Sequence, residues 1–163
     1  MYIDIVPIRE ELIDSFHAAL DVVCRERVYL AFLEAPPIEA TREFVRSNIA
    51  KGHPQLVVVE EGHVVGWCDV TPVQRPTMQH CGVLGMGLLP AWRGRGVGER
   101  LMCRTLEAAR AFGFSRVELT VRRDNARALG NLCAMQTHSL RKERQAPACG
   151  RHEWSWQLWK RQQ

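Results

Sequence analysis

No Cys-x-x-Cys pair occurs among Cys24, Cys68, Cys81, Cys103, Cys133 and Cys149, and the six histidines show no ligand spacing with them. That argues against a zinc site and for reduced, mostly structural thiols in a cytoplasmic protein. No apolar run approaches the ~20 residues needed to span a membrane. The start, Met1-Tyr2-Ile3-Asp4, lacks the basic region and apolar core of a signal peptide. Basic clusters are missing too: Lys and Arg are scattered and the formal net charge is only +4, which does not suggest a nucleic-acid partner. Internal repeats, low-complexity tracts and domain linkers are absent. What remains is a chain of 163 residues with ordinary apolar and charged fractions, read as one domain over 1–163 that buries about two-thirds of its unfolded surface.

The hydrophobic pattern predicts the elements. Ile3, Ile5 and Ile8 alternate as a first strand. Glu10 to about Arg27 carries Leu12, Phe16, Leu20 and Val23 on one helical face. An apolar loop follows, from Tyr29 through Phe32 and Glu34 to Pro36-Pro37. About Glu39 to Lys51 is a second helix, stopped by Gly52 and Pro54. Gln55–Glu60 and Val64–Thr71 form a hairpin through Glu61-Gly62-His63. Val83–Leu89 is a long strand whose near-continuous apolarity suggests burial on both faces. A helix from Val97 to Phe112-Gly113 comes next, then an alternating strand through Val117, Leu119 and Val121. Asp124-Asn125 is placed to cap a helix starting near Ala126. The order β-α-α-β-β-β-α-β-α describes an α+β domain with a mixed sheet. Met135 to Gly150 reads as polar and irregular, and Trp154–Trp159 as a lone alternating segment suited to sheet packing or a homodimer surface.

Between the long strand and the third helix runs Arg93-Gly94-Arg95-Gly96-Val97-Gly98. The first turn of a helix carries N–H groups without intrahelical partners, and the macrodipole adds about half a positive charge. Glycines let that backbone approach a phosphate, and Arg93 and Arg95 add charge at its edge. A phosphorylated ligand is the expectation. A dinucleotide fold fits poorly: the glycines read Gly-x-Gly-x-Gly, and Glu118, ~20 residues beyond Gly98, lies mid-strand.

These segments resemble the GNAT superfamily of acyl-CoA-dependent N-acetyltransferases. Leu88-Leu89-Pro90 matches the family's apolar-x-Pro strand end, and Arg93-x-x-Gly96-x-Gly98 its Gln/Arg-x-x-Gly-x-Gly/Ala turn. Asp124-Asn125-Ala126-Arg127-Ala128 is similar to its Asn-x-x-Ala segment, and Val65-Gly66-Trp67 to its third strand. The resemblance covers about residues 3–129 and implies a mixed central sheet flanked by helices, with a strand splay at the acetyl-CoA site. It implies that backbone N–H groups of Arg93, Gly94, Arg95, Gly96, Val97 and Gly98 hold the pyrophosphate. Gly87 and Leu88 would splay from the neighbouring strand to bind the pantetheine arm and polarise the thioester, and Asn125 would bond the pantetheine or phosphate region. The implied reaction is direct attack of a primary amine on acetyl-CoA in a ternary complex, without a metal. The acceptor is a small molecule or a protein or peptide amine. A CoA-binding module with little or no catalysis is the alternative.

Residues 130–163 depart from the family pattern, either strongly diverged or shifted in reading frame near residue 130. The position of the family's proton-donating Tyr falls at Leu132, beside Cys133. For the general base, His80 before the central strand and Glu34 in the apolar loop are the candidates, and Glu118 faces cleft or solvent. Tyr29, Phe32 and Trp67 are suited to wall an acceptor pocket or simply to fill the core.

Overall fold

A computed structural model of the chain describes residues 3–30, 32–122, 125, 126, 128, 130, 140–144 and 153–159. Strand β1 (Asp4–Pro7) leads through a single 3-10 turn, Glu10–Leu12, into α1 (Ile13–Arg25). Helix α2 (Ile38–Lys51) ends on Gly52, whose φ of 68° closes the last turn in the left-handed region. Strands β2 (Gln55–Glu60) and β3 (His63–Pro72) form the expected hairpin. Glu61 and Gly62 both have positive φ, as a tight two-residue hairpin turn requires. Strand β4 (Cys81–Leu88), α3 (Val97–Phe112), β5 (Arg116–Arg122), β6 (Leu140–Arg144) and β7 (Glu153–Trp159) complete the order.

The strands form one seven-stranded sheet in the order β1-β2-β3-β4-β5-β7-β6. Neighbours are antiparallel except β4 and β5, which are parallel. The stretch read as irregular thus contributes β6, and the lone alternating segment is β7, seated between β5 and β6. Polar side chains hid β6, because an edge strand needs backbone pairing rather than an apolar face. Ala126, Ala128 and Gly130 have helical backbone, and the Asn125 side-chain Oδ1 accepts from the Ala128 N–H at 3.0 Å, as an N-cap does. Asp124, Leu132 and Cys133 lie outside the described residues.

Each face of the sheet carries a core. On one, α3 lays Val97, Leu101 and Ala109 against Val58, Val70, Leu84, Val117 and Leu119. On the other, α1 and α2 bring Phe16, Val23 and Val45 onto Val57 and Trp67. The Phe16 and Trp67 rings meet edge to face at 5.6 Å. Cys24, Cys68 and Cys81 are buried in these cores as free thiols, and burial pushes the Cys68 thiol up. Among the described residues, no helix is long and apolar enough to cross a membrane, and no group of acidic, His or Cys side chains is placed to hold a metal.

One expectation fails in an informative way. Strand β4 is not buried on both faces: Val83 is 44 % exposed. Leu84, Met86 and Leu88 face the α3 core, whereas Val83, Gly85 and Gly87 form the opposite row. That row has almost no side chains.

Candidate active site at the forked strands

Strands β4 and β5 stay in register over only three positions, Cys81–Arg116, Gly82–Val117 and Val83–Glu118. Beyond that they part. Strand β4 follows β3 as far as Leu88 opposite Gly66, and β5 follows β7 as far as Arg122 opposite Glu153. The sheet therefore forks after Val83, and the β4 backbone from Leu84 onward presents an edge to the fork without β5 as its ladder partner. Gly87 and Leu88, the two residues expected at a splay, close this edge.

At the end of β4 the chain turns sharply. The Trp92 N–H bonds the Leu89 carbonyl and the Arg93 N–H the Pro90 carbonyl. Gly94 and Gly96 both have φ of 74°, a conformation that L side chains rarely adopt, and a Cβ at either would meet nothing within 4 Å. These glycines answer to backbone conformation and open space, not to crowding. Gly96 is the N-cap of α3 without a side-chain cap, and the first intrahelical bond runs from the Arg100 N–H to the Gly96 carbonyl. The N–H groups of Val97, Gly98 and Glu99 thus precede the ladder and point out of the helix start.

Arg93 does not offer its charge to a ligand. Its guanidinium forks onto the Glu26 carboxylate, at 2.7 Å from Oε2 and 2.6 Å from Oε1, while its Nε donates to the Leu88 carbonyl at 2.9 Å. The Tyr29 ring lies beneath it at 4.9 Å. This side chain is a brace tying the end of α1 and the following loop to the end of β4, and the Arg93 N–H is itself bonded to the Pro90 carbonyl. Arg95 is exposed and sits over Trp92 at 5.4 Å.

The α1-side row of β4 is a trough. A Cβ at Gly87 would lie 2.2–2.8 Å from the Trp67 ring, so only glycine lets that ring cross β4. One pair nearer the fork, a Cβ at Gly85 would be 3.4 Å from Asp69 Oδ1. Asp69 is only 9 % exposed, and burial pushes its carboxyl up to about 7. The sequence reading passed over Asp69. The available signal was a carboxylate standing alone inside Val64-Val65-Gly66-Trp67-Cys68-Asp69-Val70, where a charge is costly to bury.

The two base candidates lie elsewhere. His80 is exposed at the opposite end of β4, its carbonyl accepting the Ser115 N–H at 3.0 Å. Leu88 lies eight residues further along the extended chain, about 26 Å away. The structure does not bring it to the glycine turn. Glu34 is 69 % exposed on the α1–α2 loop, 3.6 Å from Arg25 Nη2. That loop is held down by the Ala35 N–H on Asp21. Of the three expected wall residues, Phe32 is exposed, Tyr29 lies under the Arg93 guanidinium, and Trp67 is buried across β4. Glu118 sits at the fork itself, paired with Arg116.

The Acetyltransferase (GNAT) family model matches residues 17–132. L-amino acid N-acetyltransferase AaaT of Escherichia coli is 30% identical over 125 residues, 76% of this chain and 77% of AaaT. The uncharacterized N-acetyltransferase YjgM of the same organism is 38% identical over 68 residues, a match spanning 42% of this chain and 41% of YjgM. The same fold occurs in yncA of Salmonella typhimurium, solved with its cofactor acetyl-CoA, at a TM-score of 0.86, 16% identity and coverage of 96% and 93% of the two chains. It recurs in a Sinorhizobium meliloti phosphinothricin acetyltransferase in complex with AcCoA, at a TM-score of 0.80, 16% identity and coverage of 96% and 88%. With the family model spanning most of its length and AaaT matched across three-quarters of both proteins, this chain belongs to the GNAT family of acetyltransferases.

Proposed function

We propose that this protein transfers acetyl from acetyl-CoA to the primary amine of a small molecule, by direct attack within a ternary complex. The forked edge of β4 beside an uncapped helix N-terminus carries this reading. An extended amide-bearing arm suits an unpaired strand edge, which offers alternating N–H and C=O groups. A pyrophosphate suits the α3 start, where Gly94 and Gly96 leave open space and the Val97, Gly98 and Glu99 N–H groups converge with the helix dipole. The group these residues fit is therefore acetyl-CoA, with Gly94–Gly98 on its phosphates and, since the Leu89–Val65 bond sets the Gly87 groups toward Trp67, the outward Leu88 N–H on its arm. Bound there, it supplies an acetyl thioester open to an amine.

The chain's own residues do the rest. Backbone N–H groups at the end of β4 are fixed by the Arg93–Leu88 and Leu89–Val65 bonds, so they are preorganised for charge developing on a carbonyl oxygen. Trp67 fills the trough over Gly87 and excludes water on the α1 side. Asn125 spends its side-chain oxygen on Ala128, which supports a role in shaping the chain near the fork rather than a ligand bond through that atom. A small amine is favoured over a polypeptide by AaaT, whose name gives L-amino acids as acceptors. The test is thiol release from acetyl-CoA with a panel of amino acids, small amines and N-terminal peptides. Saturable turnover with the small amines is expected. Acetyl-CoA binding without turnover would leave a non-catalytic CoA-binding module, and peptide-only turnover would reassign the acceptor.

A further inference from the structure

Among the described residues, Asp69 is the one buried carboxylate along the fork, and its surroundings are unusual. It stands opposite Gln55 on one side and Gly85 on the other. Directly paired residues share a face, so the Gln55 and Asp69 side chains lie together on the α1–α2 side. Gln55 is 2 % exposed, and its Nε2 has no hydrogen-bond partner. The direction of that amide is set by a chain of bonds from the surface. The Asn48 amide donates to Gln55 Oε1 at 2.8 Å, and Asn48 Oδ1 lies 3.2 Å from His53 Nδ1. Because Asn48 Oδ1 can only accept, His53 carries its proton on Nδ1. Every link therefore points the same way, and it ends in an unused N–H beside a buried carboxylate. A buried N–H donor without a partner, beside a buried carboxylate, marks a place where something else binds.

That place opens toward the fork. Gly85 is the second residue past the last β4–β5 pair, and its missing side chain leaves nothing on β4 between Asp69 and the splay on this face. A Cβ there would stand 3.4 Å from Oδ1, in van der Waals contact with the carboxylate. Gly87, at the arm-binding edge, is about 7 Å further along.

We infer that Asp69 is the general base of the transfer reaction proposed above, on which this assignment rests, and that Gln55 positions it. The step balances as follows. An Asp69 oxygen takes one proton from the acceptor ammonium. The freed nitrogen pair forms the N–C bond as the C–S bond breaks, and the sulfur keeps that electron pair. A second nitrogen proton goes to the sulfur, and Asp69 returns its own proton to water. Gln55 Nε2–H, donating to the carboxylate or to a water between them, holds the ionised form in place. A carboxyl titrating at about 7 is well matched to this task near neutral pH. Burial alone raises it. Among the described side chains, β5 places the Arg116–Glu118 pair on this face beyond Val83, β1 places Asp4 on it at the outer strand, and Asn48 links Gln55 to His53, whose own proton affinity is lowered by burial and by Lys51.

The test uses the full chain, acetyl-CoA and the best amine of the panel. Asp69→Asn should lower kcat at pH 7 by about 100-fold or more, with acetyl-CoA affinity unchanged. The wild-type acidic limb of kcat near pH 7 should vanish in this variant, and the deficit should shrink with a weakly basic amine that is already neutral. Gln55→Met should move the same limb to higher pH, since the carboxylate loses a donor. It decides the matter even if Asp69→Asn folds poorly. Wild-type-like kcat with a retained limb in Asp69→Asn, or an unmoved limb in Gln55→Met, overturns the base assignment alone. Failure of the wild type to bind acetyl-CoA or to turn over any amine overturns the transfer reading, and the base with it.

Discussion

Replacing Asp69 by Asn should stabilise the protein, and only above a certain pH. The folded state raises this carboxyl from an ordinary 3.8 to about 7 because burial disfavours its charge. Below 3.8 the carboxyl is protonated in folded and unfolded chains alike, so it imposes no cost. As pH rises from 3.8 to 7, the unfolded chain releases the proton while the folded chain keeps it, and stability falls. Above 7 the deficit is complete, and the gap between the two values corresponds to about 4 kcal/mol. Asn has nearly the same shape and never ionises, so it avoids that loss. For a chain of this size the gain is about 10 °C in Tm. Thermal melts of wild type and Asp69→Asn at pH 4 and pH 8 check it. The expected result is equal melting at pH 4 and a higher Tm for the variant at pH 8. Equal melting at pH 8, or a gain of the same size at both, would refute the buried-charge reasoning. A stabilised but slow variant is what a residue kept for chemistry should give.

Other substitutions probe other parts. Gly96→Asp should weaken acetyl-CoA binding by about 100-fold by placing a carboxylate at the phosphate site, at a folding cost of about 1 kcal/mol for the positive φ. Gly96→Asn, neutral at the same φ, should keep most of the affinity by calorimetry. Gly87→Ala forces a methyl into the Trp67 ring and should cost about 3 kcal/mol in a denaturant titration. Glu26→Gln halves the fork that holds Arg93 and should cost about 1–3 kcal/mol, with a raised KM for acetyl-CoA. Leu101→Ala, at a fully buried site remote from the fork, should cost about 2–5 kcal/mol in the same titration without changing acetyl-CoA affinity per folded molecule.

The sequence made some of this legible because the physics was local. The helix period placed α1, α2 and α3, and Glu61-Gly62 marked the hairpin turn. The glycine turn was readable as a strand-to-helix connection from its spacing alone. Pairing partners were not local, and that is where the reading fell short. The rank of β7 between β5 and β6 depends on contacts no window contains, and polar β6 had no pattern to show. Val83-Leu84-Gly85-Met86-Gly87-Leu88 looked uniformly apolar because glycine counts as neutral filler; in space, its glycines are a trough that Trp67 and Asp69 lean across. Arg93 looked like a phosphate ligand because its partner, Glu26, is distant in the chain. His80 adjoins the central strand in sequence, at the end opposite the glycine turn. The Asp69 carboxylate was visible as an anomaly, but its meaning required Gln55 and Gly85 beside it.

The most direct measurement is calorimetric titration of the purified full chain with acetyl-CoA, alongside Gly96→Asp and with NADH as the control ligand. Micromolar binding of acetyl-CoA to the wild type, loss of that binding in Gly96→Asp and no binding of NADH are expected. A wild type that does not bind acetyl-CoA, or a Gly96→Asp variant that binds it as well as the wild type, would contradict the assignment of the forked strands and the α3 start as the acetyl-CoA site.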